Sequence, residues 1–219
     1  VRRMALANPL LSFDAILFAK RAPTIFPHIS DQHYGWWSRP GGGICLLEGF
    51  RTQNARVRCL TSDMPEGNFA GPDISCDGKK VVFAYCRWYA HAANVQNKVD
   101  KDALPEDCFY HVFEMNVDGT GRRQLTHGRY DDFDPRYLPD GQIVFLSTRK
   151  GTAVQCGRTS AAATEQGTCP DSYVRCGGGP ERPVAVYTLH TMNADGTGLC
   201  AISPFEMFEW TPEIGRDGS

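Results

Sequence analysis

A composite pattern occurs twice in full and once in part along this chain, and it constrains the fold more than any other feature. Asn116-Val117-Asp118-Gly119-Thr120-Gly121 is followed by Leu125-Thr126, Asp134-Pro135, Leu138-Pro139-Asp140-Gly141 and the apolar run Ile143-Val144-Phe145. The same order returns as Asn193-Ala194-Asp195-Gly196-Thr197-Gly198, Ile202-Ser203, Thr211-Pro212 and Asp217-Gly218. The Asn and Pro landmarks both advance by 77 residues (193 − 116 and 212 − 135). Independent landmarks that move together mark a duplicated structural unit. A weaker upstream copy carries Leu60-Thr61, Pro72, Asp77-Gly78 and Val81-Val82-Phe83, and Phe13 to Arg21 reads as a remnant of a fourth.

Each unit reads as short strands joined by tight turns. Asp-Gly supplies positive φ at low steric cost, so Asp77-Gly78 and Asp140-Gly141 are expected as two-residue hairpin turns. The β-branched and aromatic runs Val81 to Tyr85 and Ile143 to Leu146 fit buried strands. Asn-x-Asp-Gly-Thr-Gly closes a second hairpin, between Phe113–Met115 and the segment ending at Leu125. Four strands with two Gly turns is the grammar of a β-propeller blade. A β-sandwich also has short strands but gives no reason to repeat one turn at a fixed offset. The expected fold is therefore all-β: a partial β-propeller of about three four-stranded blades in a single domain, 1–219. Its units fall at about 8–61, 62–126 and 127–203, with a further blade starting at 204–219.

The spacing between units varies in one place. Asp118 to Pro135 and Asp195 to Pro212 are both 17 residues (135 − 118 and 212 − 195), whereas the stretches before them differ. The extra length lies between the second and third strands of a blade, in Arg87 to Cys108 and Lys150 to Pro183, and both insertions should leave the same face. Loops gathered on one face of a rigid scaffold are where such proteins place binding surfaces.

About three blades fall short of the roughly four to eight of a closed propeller, and Arg216 to Ser219 stands inside a hairpin. Two readings follow: a segment of a larger propeller, or a half-propeller completed at its strand edges by a second copy or a partner. A net charge of −2 gives no footprint for nucleic acid. No apolar run is long enough for a transmembrane helix, and Val1 to Ala7 is too short for a complete signal peptide.

Nine cysteines is a high count for 219 residues. Cys45, Cys59, Cys76, Cys86 and Cys200 fall in or beside strand patterns, where a small buried hydrophobe is the expectation. Cys108 ends the first insertion, and Cys156, Cys169 and Cys176 lie in the second. A disulfide among these three, with an extracytoplasmic location, is one reading. Inert thiols and a zinc site are the others, although no C-x-x-C is present.

Leu138 to Gly141 with its following strand, and Asn-x-Asp-Gly-Thr-Gly with its Leu-Thr, resemble the blade repeat of TolB-type propellers from about Asp14 to the end. Asn8 to Leu11, Phe18 to Arg21, Pro40 to Ile44, Tyr130 to Pro135, Tyr187 to His190 and Glu209 to Pro212 resemble the propeller proteins related to the hydrazine synthase alpha subunit. That resemblance implies a scaffold found in secreted, multi-domain proteins. Hydrazine synthase chemistry depends on c-type haem attached through C-x-x-C-H, a motif not found in these 219 residues, and fold kinship does not transmit function.

Two constellations carry potential chemistry. His28, Asp31 and His33 present imidazole and carboxylate within six residues, a mix that zinc accepts; the alternative is a loop packed by Tyr34, Trp36 and Trp37. Asp131, Asp132 and Asp134 precede an innermost strand, so they are expected near the channel mouth, where oxygens can hold Ca²⁺. Alternatively one of the first two caps a turn and Asp134 bonds backbone amides. No nucleophile elbow, metalloprotease motif or phosphate loop occurs, and His111, His127 and His190 read as packing residues. The expected function is an extracytoplasmic binding scaffold for a protein partner or the remainder of its own longer chain, with no complete active site in this segment. The alternative is the propeller part of a haem-containing oxidoreductase.

Overall fold

Residues 4, 6–23, 39–92, 104–150, 166, 186–204 and 208–215 are described by the structure, a computed structural model. They form three antiparallel sheets that follow one another along the chain. The first holds β1 (Ala15–Arg21), β2 (Gly42–Glu48) and β3 (Arg56–Cys59). The second holds β4 (Gly67–Ile74), β5 (Lys80–Arg87), β6 (His111–Asn116) and β7 (Arg123–Gln124). The third holds β8 (Asp132–Tyr137), β9 (Ile143–Ser147), β10 (Thr188–Met192) and β11 (Cys200–Ala201). Every strand pairs with its sequence neighbour in its own sheet, and β4 packs against both β1 and β8. This is a partial propeller, as the repeat requires.

The apolar runs are explained by burial on both faces. Along β5, Val81, Phe83 and Tyr85 pack with Ile44, Leu46 and Leu60 of the first sheet. The alternate residues turn the other way: Val82 packs with Ile143 and Phe145, and Ala84 and Cys86 pack with Phe133 of the third sheet. A strand sandwiched between two blades has no solvated face, so strict apolar–polar alternation is lost.

The Asp-Gly turns are longer than the two residues expected. Leu138 N donates to Gln142 O and Gly141 N donates to Leu138 O, enclosing three residues with Gly141 at φ +88°. In the upstream copy Ser75 N donates to Lys80 O, enclosing four. A type I turn followed by a positive-φ glycine forms these longer loops. Asn-x-Asp-Gly-Thr-Gly builds the three-residue form twice, through Asn116 with Thr120 and Asn193 with Thr197. Asp118 Oδ1 accepts from Thr120 N at 2.8 Å, and Asp195 Oδ1 from Thr197 N at 2.9 Å. The motif is thus consumed in its own turn.

The Leu-Thr signature joins strands and blades. Thr61 Oγ1 accepts Ile44 N at 3.0 Å, and Thr126 Oγ1 accepts Val112 N at 2.9 Å, so the hydroxyl completes a ladder where the outer strand ends. The Leu carbonyl meets the next blade's hairpin tip: a Cβ on Gly119 would lie 3.2 Å from Leu60 O, and one on Gly196 only 2.7 Å from Leu125 O. Arg58 Nη1 donates to Asp118 O at 3.2 Å and Arg123 Nη2 to Ala194 O at 2.8 Å, tying the same junctions.

The strand ends that flank the β1–β2, β5–β6 and β9–β10 connections occupy equivalent positions on one face, while the described hairpin turns lie on the other. Cys45, Cys86 and Cys108 are buried and Cys59 is half-buried, but Cys76 and Cys200 are exposed, contrary to expectation. Cys76 sits in a turn and Cys200 on the short outermost strand, where neither has a second sheet to cover it.

Candidate functional site at the insertion face

The insertion face is organised by arginines at the ends of second strands. Arg21 ends β1, Arg87 ends β5, and Arg149 follows β9 by two residues. Arg21 Nε donates to Asn68 Oδ1 at 3.1 Å and its Nη2 to Tyr110 Oη at 3.3 Å. Arg87 Nη1 lies 3.7 Å from Asp107 Oδ2, with its guanidinium 4.9 Å from the Tyr89 ring centre. Arg149 reaches both oxygens of Asp132, at 3.1 and 2.7 Å, donates to the His127 carbonyl, and lies 4.6 Å from the Tyr130 ring centre. A planar fork suits carboxylate and aromatic faces together, as at Arg149, whereas Arg21 bonds an amide and a phenol and Arg87 makes a looser, half-exposed ion pair. Behind Arg87, Ala92, Leu104, Cys108 and Phe109 close a small core with Tyr89. Burial pushes the Cys108 thiol up to about 12.

The three aspartates go separate ways, and among the described residues no three His, Cys, Asp or Glu side chains are grouped to hold a metal ion. Asp131 Oδ1 accepts Tyr110 N at 2.9 Å, joining the blades, while its own amide donates to Thr148 Oγ1. Asp132 is fully buried; besides Arg149 it accepts Ser147 Oγ at 2.5 Å. Burial is the largest single influence on Asp132 and disfavours its charge. The neighbouring His111, the Arg149 bonds and charge, and the Ser147 hydroxyl together still hold its carboxyl below the usual range. Ser147 therefore donates to an ionised carboxylate that Arg149 already holds in an ion pair.

Asp134 stands at a strained position on the innermost strand. It has φ +48°, Gly71 has φ +51° and Thr211 has φ +35°, each immediately before the proline of its repeat. Register shifts between Ala70 and Asp73 and between Phe133 and Arg136 mark the bulges they create. A Cβ on Gly71 would lie 2.6 Å from Asp134 Oδ1, so the two bulges touch. Burial raises the Asp134 carboxyl above its ordinary range, although Arg136 and Arg21 pull it down. The residue after each proline then links inner segments: Asp73 Oδ2 accepts Tyr137 N at 2.9 Å, and Arg136 Nη2 donates to Glu213 at 3.2 Å.

His111 Nε2 lies 3.1 Å from Glu106 O, and because a carbonyl only accepts, Nε2 carries the proton. Its Nδ1 sits 3.8 Å from Asp132, too far for a hydrogen bond, and has no other partner among the described residues. His190 is buried and burial lowers it, so it is neutral at pH 7. His28, Asp31 and His33, and Cys156, Cys169 and Cys176, lie outside the described residues. Sequence reasoning passed over Arg149 and Arg87, although arginine at or just past the end of each second strand was a signal within reach.

On the turn face, a cavity of about 440 Å³ opens between the second and third sheets, lined by Lys80, Glu114, Arg123 and Tyr137. Its charges answer one another: buried Glu114 accepts from Arg123 at 2.9 Å and Tyr137 Oη at 3.1 Å, with Lys80 Nζ 3.8 Å away.

No protein-family model matches the chain, and no curated protein matches it. Among solved structures, the chain is similar to hydrazine synthase from Kuenenia stuttgartiensis, at 17% identity and a TM-score of 0.59, over 94% of this chain and 27% of that one. It is also similar to a putative TolB from Agrobacterium tumefaciens, at 17% identity and a TM-score of 0.48, over 91% of this chain and 48% of that one. The chain thus spans less than half the length of either protein. The likeness to hydrazine synthase concerns the fold alone, a partial propeller. No described helix is long and apolar enough to cross a membrane.

Proposed function

We propose that this propeller segment is an extracytoplasmic binding module whose insertion face takes a protein partner or another part of a longer chain. The observation that carries the reading is the recurrence of an anchored guanidinium, at Arg21, Arg87 and Arg149, where each connection leaves its blade. Three arginine roots on one face, hydrogen-bonded at Arg21 and Arg149 and ion-paired at Arg87, offer a partner a common surface, while the opposite face is spent on turns that satisfy themselves. Site-specific photo-crosslinking tests it. A benzophenone side chain at Tyr130, exposed on the insertion face, should capture a defined protein, and the same probe at Asp140 on the turn face should not. Capture from Asp140 alone would refute the assignment of the face.

The likeness to hydrazine synthase favours a second reading, in which this propeller serves within a multi-domain oxidoreductase. Translating the gene beyond Ser219 separates the two: a C-x-x-C-H downstream supports the oxidoreductase, and further blades alone support the binding module.

A further inference from the structure

Cys45 on β2 and Cys59 on β3 are cross-strand partners in the first sheet. The neighbouring pair, Ile44 and Leu60, occupies the hydrogen-bonded register: Leu60 N donates to Ile44 O at 2.8 Å, and Ile44 N is taken by Thr61 Oγ1. Register alternates along an antiparallel ladder, so Cys45 and Cys59 form a non-hydrogen-bonded pair. At such pairs Cα atoms lie about 4.5 Å apart and both side chains project to the same face. That separation falls within the range a disulfide spans.

The sulfurs also converge. Cys45 Sγ lies 3.7 Å from Gly43 O, and a Cβ added at Gly43 would come within 2.6 Å of Cys59 Sγ. Burial, followed by the hydrogen bond and charge of Cys59, pushes the Cys45 thiol up to about 11, so the two thiols sense each other directly. Both are free thiols in the structure. The equivalent pair in the second sheet is Phe113 opposite Gln124, so the cysteines belong to the sheet with three described strands.

We propose that Cys45 and Cys59 are an oxidation site that closes as a cross-strand disulfide, stapling β2 to β3. The oxidant is a small-molecule disulfide such as oxidised glutathione. The half-buried Cys59 loses its proton and attacks one glutathione sulfur, breaking that S–S bond and releasing one glutathione thiolate. Cys45 then loses its proton and displaces the second glutathione. The two protein thiols give up two electrons and two protons, and one glutathione disulfide becomes two thiols. The bond closes a loop on the order of 15 residues and restricts the unfolded chain.

The test incubates the full chain with excess oxidised glutathione, quenches in acid, alkylates the free thiols under denaturing conditions and maps the peptides by mass spectrometry. A peptide joining Cys45 to Cys59 is expected, absent from a Cys59→Ser variant. The oxidised chain should melt about 6 °C or more above the same chain after reduction. That redox-dependent shift should disappear in Cys45→Ala/Cys59→Ala. Recovery of both sites as alkylated thiols, linkage of either to a different cysteine, or an oxidised form that melts no higher than the reduced one overturns the proposal. The peptide map is read on the unsubstituted chain and needs no variant to fold.

Discussion

Replacing Arg149 with Met tests how much of the insertion face rests on one buried ion pair. Asp132 is 0% exposed and the Arg149 side chain is 19% exposed, so methionine fills the stem but leaves the carboxylate without its cation. What remains to Asp132 is the Ser147 hydroxyl at 2.5 Å, since His111 Nδ1, 3.8 Å away, is beyond hydrogen-bond reach. Two hydrogen bonds to a charged group are lost, each contributing about 1.5–3 kcal/mol, and one partner of a buried pair is removed, which costs about 3–5 kcal/mol. The surviving hydroxyl and the partial exposure of Arg149 place the expected loss at the lower end, about 3 kcal/mol, or about 6–12 °C in Tm for a chain of this size.

The pH profile sharpens the test. The Asp132 carboxyl is held below its unfolded value, so the pair stabilises the fold above about pH 4, and this contribution is lost as pH falls through the folded value. In Arg149→Met the buried carboxyl has lost its cation and titrates higher, so acidification relieves the variant while it weakens the parent. Urea denaturation from pH 7 to pH 3.5 should therefore show the difference shrinking, and Asp132→Asn/Arg149→Met should recover much of the loss at pH 7. A difference under about 1 kcal/mol at pH 7, or one that is flat in pH, would refute the reasoning.

Three further substitutions probe separate parts of the scaffold. Gly141, at φ +88° with nothing near its absent Cβ, should lose about 1–2 kcal/mol on change to Ala from backbone strain alone. Gly196, at φ +90° and facing Leu125 O at 2.7 Å, should lose distinctly more, with Gly119 between; equal losses in denaturant would rule out the blade contact as the cause. Thr126→Val strands the buried Val112 amide and should cost about 1–3 kcal/mol in the same assay, with faster hydrogen exchange at Val112; an unchanged exchange rate counts against the capping role. Asp134→Asn removes a carboxyl whose folded value is raised by burial, a penalty present above that value and absent below the unfolded one. The variant should be more stable than the parent at pH 7 and indistinguishable near pH 3, with Asn tolerating φ +48°; greater stability of the parent at pH 7 would contradict the burial penalty.

The blades were legible because each part of the repeat answers a local demand. Asp118, Thr120 and Gly121 satisfy one turn, Thr126 one amide, and Val81 to Tyr85 two sheet faces, so residue type and spacing sufficed. Turn length was misread because Asp-Gly serves two-residue hairpins and type I turns with a bulge alike, and closure at Ser75 or Leu138 depends on strand register. The fate of the aspartates was hidden for another reason. Asp131 and Asp132 are adjacent in sequence, but their partners, Tyr110 and Arg149, come from opposite directions along the chain. The proline positions did reveal that Gly71, Asp134 and Thr211 correspond. That all three share a positive φ, with a bulge at Gly71 and at Asp134, is a feature of the backbone that single residues do not encode.

The hairpin-tip glycines also have a geometric consequence for the assembly of rings. Gly119 and Gly196 let each tip seat against the Leu carbonyl of the blade before it, which fixes the wedge angle between successive sheets at one edge. In a circular array that angle divides into a full turn and sets how many wedges fit. A side chain at these tips would act as a shim, opening the wedge and lowering the number of blades at which such an array can close.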